Sequence, residues 1–418
     1  MTATAPTEQR SRWRTLTSGT GFLAVCIVVM NVATYGFQIV SARLLGPEQY
    51  GGVASMMALL LVVGVIQLGL QATAARRVAA DPATSRATEH TMLTLTYRAS
   101  AVVGLAMLAC SPLVWKLLRL DTIVPALLVA VCAVPLTMMG GQAGVLQGER
   151  RWIELAGVYL ALGLPRVAIG TLCILIRPTE AAAMAGVTLA QFAPALVGWW
   201  LLRRTVPGRS PEARTGSPAG LSAAAAETLH GSVALLGFFV LSNADIVVAR
   251  NVLSTHASGL YAGGLILTKA VLFLPQFVVV VAFPAMSTAG QRRRTLLQSL
   301  AAVGVIGVVS TLGAWLLSGV AMIFIGGSDY SSVQGRLWIF AVLGTLLAAL
   351  QLLVYSVLAR QHRSSSVLIW AAVVLLVALG SQQDGLTPLV WMVTAVDAVL
   401  MAALLSTSLW HLRDDAAA

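Results

Sequence analysis

The sequence predicts an all-α integral membrane protein of about twelve transmembrane helices, arranged as two six-helix bundles related by a parallel internal repeat. Three observations carry this expectation: a scarcity of charge, long continuous apolar runs, and a short motif that recurs half a chain later. Apolar residues make up 58% of the 418 positions and charged residues 10%, with a mean hydropathy of +0.84. A soluble domain carries roughly 25% charged residues, so this chain cannot cover itself with polar surface in water. Backbone amides in lipid must be satisfied within their own segment, which makes the apolar runs helices. A closed barrel would show short alternating segments instead.

A span needs roughly 20 apolar residues. The runs that qualify are 19–42, 50–74, 96–115, 122–147, 152–176, 180–202, 226–249, 257–285, 296–324, 335–358, 364–382 and 386–410. The polar, basic start leads into an uncharged stretch too long for a signal peptide, so the first run is read as a retained helix. The longest connection, 204–225, is rich in Pro, Gly and Ser. It divides an amino-terminal bundle, 1–203, from a carboxy-terminal one, 226–418.

With twelve spans, both termini and the linker share one side. That side holds 19 arginines against 6 basic residues on the other. The positive-inside rule therefore places both termini in the cytoplasm. The same bias accounts for the net charge of +11, so no nucleic-acid partner is implied. Arginine supplies all but Lys116 and Lys269 of the basic residues, which with the alanine richness suggests a GC-rich bacterial genome, and the expected location is the bacterial cytoplasmic membrane.

The recurring motif supports the duplication. Ala42-Arg43 precedes Tyr50-Gly51-Gly52, and Ala249-Arg250 precedes Tyr261-Ala262-Gly263-Gly264. The offsets, 207 and 211, are near half the chain. Parallel repeats with a site between the halves are a transporter architecture.

The stretches around this motif resemble the polysaccharide-unit flippases. They are "ARLLGPEQYGGVASMMALL", "QLGLQATAARRVA" at 67–79, "NADIVVARNVLSTHASGLYAGGLILTKAVLFLP" at 243–275, and "FPAMS" at 283–287. That family shares a superfamily with the multidrug-and-toxin exporters and the flippase of the peptidoglycan precursor. The resemblance implies a V-shaped pair of bundles that alternates between inward- and outward-open states. It also implies a cargo of oligosaccharide linked through pyrophosphate to a polyprenyl lipid, for cell-surface polysaccharide assembly. The two extra helices of the peptidoglycan-precursor flippase are missing here, which argues against that substrate.

Ionisable residues deep in the spans are the site candidates, since each costs roughly 2.5–3.5 kcal/mol at the bilayer centre on insertion scales. Lys269 lies 19 residues beyond Arg250 and 23 before Arg292, near the middle of its span. Its ammonium suits phosphate charge. The half-chain shift sets Lys269 against Ala58, so the second half has gained a charge, and sets Asp245 against Gln38. Asp245 has three readings: a partner of Lys269, a partner of Arg250, or the binder of a coupling ion, H+ or Na+. Arg166 follows Pro165, whose missing N–H favours a bend, and faces either the substrate or a packing partner. Asp397 is a counter-charge or a proton relay.

Arg76, Arg77, Arg150 and Arg151 line the expected cytoplasmic mouth, where they either set topology or attract a lipid head group. Arg43, Glu48 and Arg250 are expected at the external rim. The four cysteines and five histidines show no metal-ligand spacing, and no phosphate-cradling GxxxxGK[ST] loop is present. The sequence therefore predicts no catalytic residues, no metal and no cofactor. Two other functions compete: a cation-coupled exporter of drugs or small molecules, and a membrane polymerase or ligase of glycan assembly. The latter would need a catalytic loop, and the richest candidate is "GGSDYSSVQGR" at 326–336. Glycan-assembly proteins are expected partners.

Overall fold

The computed structural model describes residues 19–80, 85–203, 218–274, 292–358 and 363–417, and within them the regular structure is helical throughout. The helices are α1 (Gly19–Ala80), α2 (Ser85–Leu117), α3 (Val124–Gly148), α4 (Trp152–Ile176), α5 (Glu180–Arg203) and α6 (Pro218–Val252). They continue with α7 (Thr255–Phe273), α8 (Arg292–Leu316), α9 (Ser318–Ile325), α10 (Leu337–Leu358), α11 (Arg363–Gly380) and α12 (Leu386–Ala417). The all-α, multi-pass membrane fold expected from the apolar runs is the fold observed.

The first two expected spans are joined into one kinked helix rather than separated by an open turn. Gly46 adopts φ +68° and ψ 175°, a conformation that costs glycine little. Pro47 follows and has no N–H to donate. The expected span 296–324 is instead split at Leu317 into α8 and α9. The linker is shorter than expected, because Pro218 already begins α6; residues 204–217 lie outside the described residues. So do 275–291, with Pro275 and "FPAMS", and only the first part of the expected 257–285 span is therefore placed, as α7. Ser254 caps α7 by accepting a hydrogen bond from the Ala257 N–H at 3.2 Å.

Close helix contact depends on small residues, because lipid offers no hydrophobic drive between helices. In α3, Gly140, Gly144 and Gly148 face the Gln67, Gln71 and Ala75 carbonyls of α1, where a Cβ would come within 2.8 Å. In α7, Gly263 is covered by the Tyr330 ring and Gly264 by the Phe340 ring.

The chain forms two compact units. One comprises Met1–Phe37, Val63–Leu113 and Thr122–Ser232; the other comprises Gln38–Val62, Val114–Asp121 and Val233–Ala418. They cut the chain differently from the expected division at the linker. The kink of α1 and the end of α2 join the second unit because of two kinds of contact. Gly259 packs against the Pro47 carbonyl so closely that a Cβ there would overlap it. Arg250 and Arg119 donate to each other's helix ends. At the other extremity, the start of α6 joins the first unit, where Thr228 donates to the Thr73 hydroxyl at 3.1 Å and Glu227 pairs with Arg76 and Arg77.

Candidate functional site

Three of the four deep ionisable residues converge in the second unit. Helix α6 contributes Ser242, Asn243 and Asp245, α7 contributes Tyr261 and Lys269, and α12 contributes Asp397. The Lys269 ammonium donates to the Ser242 carbonyl at 2.6 Å and to Asn243 Oδ1 at 3.1 Å. An ammonium has three N–H donors, so two are used by α6. Asp245 is buried; its Oδ1 accepts from the Ile246 N–H at 2.8 Å and its Oδ2 from the Tyr261 hydroxyl at 3.0 Å. Tyr261 is itself fixed by an edge-to-face contact with Phe340 at 5.4 Å between ring centres.

Asp397 is 1% exposed, and its Oδ1 has no hydrogen-bond partner among the described residues. Coulombic coupling links Lys269 to both Asp245 and Asp397. One ammonium therefore stands among two carboxyl groups, held by α6 through a carbonyl and an amide rather than through a direct ion pair. A buried polar group without a partner is costly, and so Asp397 Oδ1 marks a position where a ligand atom would be welcome.

Arg166 belongs to the first unit. Its Nη2 donates to Gln191 Oε1 at 2.8 Å, while its Nε has no partner among the described residues. Gln191 Nε2 and both amide atoms of the fully buried Gln142 are also unmatched. Gln71 donates to Gln147 Oε1 at 3.0 Å and to the Tyr159 hydroxyl at 2.9 Å. In the first unit, Arg166 thus pairs with one buried amide, Gln191, while Gln142 is a second buried amide left unmatched among the described residues.

The remaining predicted residues occupy varied surroundings. Arg76 and Arg77 both hold Glu227, Arg77 at 2.8 Å. Arg151 is bound to Glu149, Glu154 and the Leu201 carbonyl, whereas Arg150 is exposed with φ +58°. Arg43 donates to the Ile323 carbonyl, and Glu48 is exposed. Arg250 is not an open rim residue: it is buried, donating through Nε to the Leu118 carbonyl at 2.8 Å and through Nη2 to that of Arg119 at 2.6 Å. The "GGSDYSSVQGR" segment is anchored by Tyr330 and Val333, while its serines and Asp329 are exposed. Tyr330 is buried, and its hydroxyl donates to the Ala42 carbonyl at 3.3 Å.

A search for charges alone passes over Asn243, Tyr261, Gln71, Gln142 and Gln191, which supply much of the buried polarity. The available signal is an uncharged polar residue inside an apolar run.

Comparison with known proteins places this architecture. A family model described as "Polysaccharide biosynthesis protein" matches residues 16–290. Curated proteins offer no match. Among solved structures, the chain is similar to an inward-facing multidrug resistance MATE family transporter of the MOP superfamily. That likeness has a TM-score of 0.75 at 13% identity, over 92% of this chain and 95% of the other. It is also similar to a MOP superfamily transporter from Pyrococcus furiosus, reported with a binding pocket of reversed polarity, at TM-score 0.67 and 14% identity over 95% and 96%. An outward-facing MATE family transporter gives 0.65 at 13% identity, over 95% and 96%. These likenesses establish the fold.

Proposed function

The chain belongs to the polysaccharide biosynthesis protein family, and from that membership and the polar cluster of the second unit we propose that it is a flippase. Its cargo is an oligosaccharide linked through pyrophosphate to a polyprenyl lipid, moved from the cytoplasmic to the external leaflet by alternating access of two six-helix bundles, 1–203 and 226–418. Both termini and the linker lie on the cytoplasmic side of a bacterial cytoplasmic membrane, and no chemical step on the cargo is required.

The observation that carries this reading is Lys269, a partly buried cation in the last turn and a half of α7 with two donors committed to α6. Its third N–H gives the anionic pyrophosphate a partner; Arg166, in the first unit, is a separate candidate cation for the same cargo. Asp245 and Asp397 offset the ammonium and supply carboxyl groups for a coupling ion, H+ or Na+. Arg76, Arg77 and Arg150 act as basic residues of the cytoplasmic mouth, while Arg151 serves structure through its two glutamates.

The test is export by Lys269→Ala in cells lacking the native gene, with the variant's membrane level measured alongside. Loss of surface polysaccharide at normal protein level supports the reading; full export refutes the cation role. The exporter reading draws on the carboxylate pair Asp245 and Asp397, which also suits a cationic drug. Drug sensitivity on deletion, with surface glycan unchanged, would favour it.

A further inference from the structure

The second unit contains a cavity of about 470 Å³ whose polar groups are already engaged. That volume lies within the roughly 300–1,000 Å³ range of small-molecule sites. One wall is a single face of α6: Val240, Asn243, Ala244, Val247, Val248, Asn251 and Val252 recur at three- and four-residue spacing. Val373 and Val377 of α11, with Ser381 just beyond it, form the facing side, and Ala58, Leu59 and Val62 from the second segment of α1 with Val114, Leu117 and Leu118 at the end of α2 close the rest. From Val240 to Val252 the wall is about 18 Å long at 1.5 Å per residue, over half of a hydrocarbon core of about 30 Å.

The cavity meets three polar side chains besides hydrocarbon, and each has its hydrogens committed. Asn243 Nδ2 donates to the Phe239 carbonyl and Ser242 Oγ, Asn251 Nδ2 to the Leu117 and Val247 carbonyls, and Ser381 Oγ to the Ala378 carbonyl. A sugar or a polar drug placed there would lose its water and gain nothing in return. A hydrocarbon chain loses nothing.

The inner end distinguishes which chain fits. Asn243 lines the cavity and also accepts from the Lys269 ammonium through Oδ1 at 3.1 Å. One side chain of the apolar trough, Asn243, thus separates it from a cation. The complementary ligand has a hydrocarbon tail with an anionic group directly at its head, as in an isoprenoid diphosphate.

We propose that this cavity is the binding site for the isoprenoid tail of the lipid-linked cargo, with the diphosphate end at Lys269. The inference rests on the flippase reading and adds where the tail is held. Val377 is 46% exposed and faces the trough, so Val377→Trp fills it with little strain on the fold.

The experiment measures binding of geranyl, farnesyl and geranylgeranyl diphosphate to the purified full-length protein and to Val377→Trp. The trough predicts that the filler weakens geranylgeranyl diphosphate by about tenfold and leaves geranyl diphosphate nearly unchanged. Lys269→Ala should instead weaken all three alike. As a second readout, a membrane-permeant maleimide should label Val377→Cys, and geranylgeranyl diphosphate should protect it. Wild-type binding unaffected by the filler, with no protection, overturns the tail site and leaves the flippase reading standing. A co-purified phospholipid that the diphosphate cannot displace from the trough also overturns it. No binding of any isoprenoid diphosphate to the wild type removes both readings.

Discussion

Arg250 offers the sharpest quantitative prediction, because its side chain is 4% exposed and its hydrogen bonds are short. Two guanidinium donors reach the Leu118 and Arg119 carbonyls at 2.8 and 2.6 Å. These carbonyls belong to the turn that directly follows α2, where the guanidinium meets backbone acceptors that no helix satisfies. A hydrogen bond to a charged group contributes roughly 1.5–3 kcal/mol. Burial leaves little solvent screening to discount this. Arg250→Ala therefore removes about 3–5 kcal/mol from the second unit, allowing for partial relaxation around the truncated side chain. Arg250→Lys recovers part of the loss but not the fork, since an ammonium on a flexible stem cannot match two carbonyls with planar geometry. Arg119 provides the internal comparison. It is exposed and donates to the Arg250 carbonyl at 3.1 Å, with two longer contacts at 3.4 and 3.5 Å. Arg119→Ala should cost no more than about 1 kcal/mol. Reversible unfolding in mixed micelles, titrated with SDS, measures both. If Arg250→Ala falls within about 0.5 kcal/mol of the wild type, the carbonyl-capping account is wrong.

Other substitutions probe separate links. Gly259→Ala would push a methyl into the Pro47 carbonyl and should destabilise by about 1–3 kcal/mol. Gly36→Ala, with open space around it, should be neutral or stabilising by up to about 1 kcal/mol, as read by the same titration. Glu227→Gln should change stability by about 1 kcal/mol or less, because the Arg77–Glu227 pair is 27% exposed on each side, and the effect should shrink with added salt. Asp397→Asn preserves size and removes the charge. On the coupling reading it lowers ion-driven uptake into vesicles by about tenfold or more at unchanged protein level; uptake at the wild-type rate would remove Asp397 from the coupling site.

The fold was largely legible because lipid leaves the backbone few choices. Charge scarcity and run length placed nearly every span, and the mid-span charges Lys269, Asp245 and Asp397 do come together. The joining of the first two runs is not legible, because sequence does not show that Gly46 at φ +68° lets α1 continue through the bend. Arg250 was assigned to the rim because its acceptors are carbonyls at the end of α2, 131 and 132 residues away. Carbonyl acceptors have no residue signature, so no charge-pairing rule could reveal them. The same limit hid the Lys269 contact with the Ser242 carbonyl.

The echo that announced the duplication finds a physical explanation in these carbonyl contacts. Arg43 and Arg250 are related by the 207-residue shift. Arg250 donates to the Leu118 carbonyl near the end of α2, and Arg43 to the Ile323 carbonyl near the end of α9. Shifted by the same 207 residues, Leu118 falls at position 325, two residues from Ile323. Each half therefore lends the arginine after its first span to the end of the third span of the other half. The glycines nearby serve the same exchange: Gly51 lies against Gly259, with the Arg250 guanidinium 3.2 Å from where its Cβ would be. Two arginines in repeat-equivalent places thus donate to backbone carbonyls near corresponding helix ends, one contact buried at Arg250 and one exposed at Arg43.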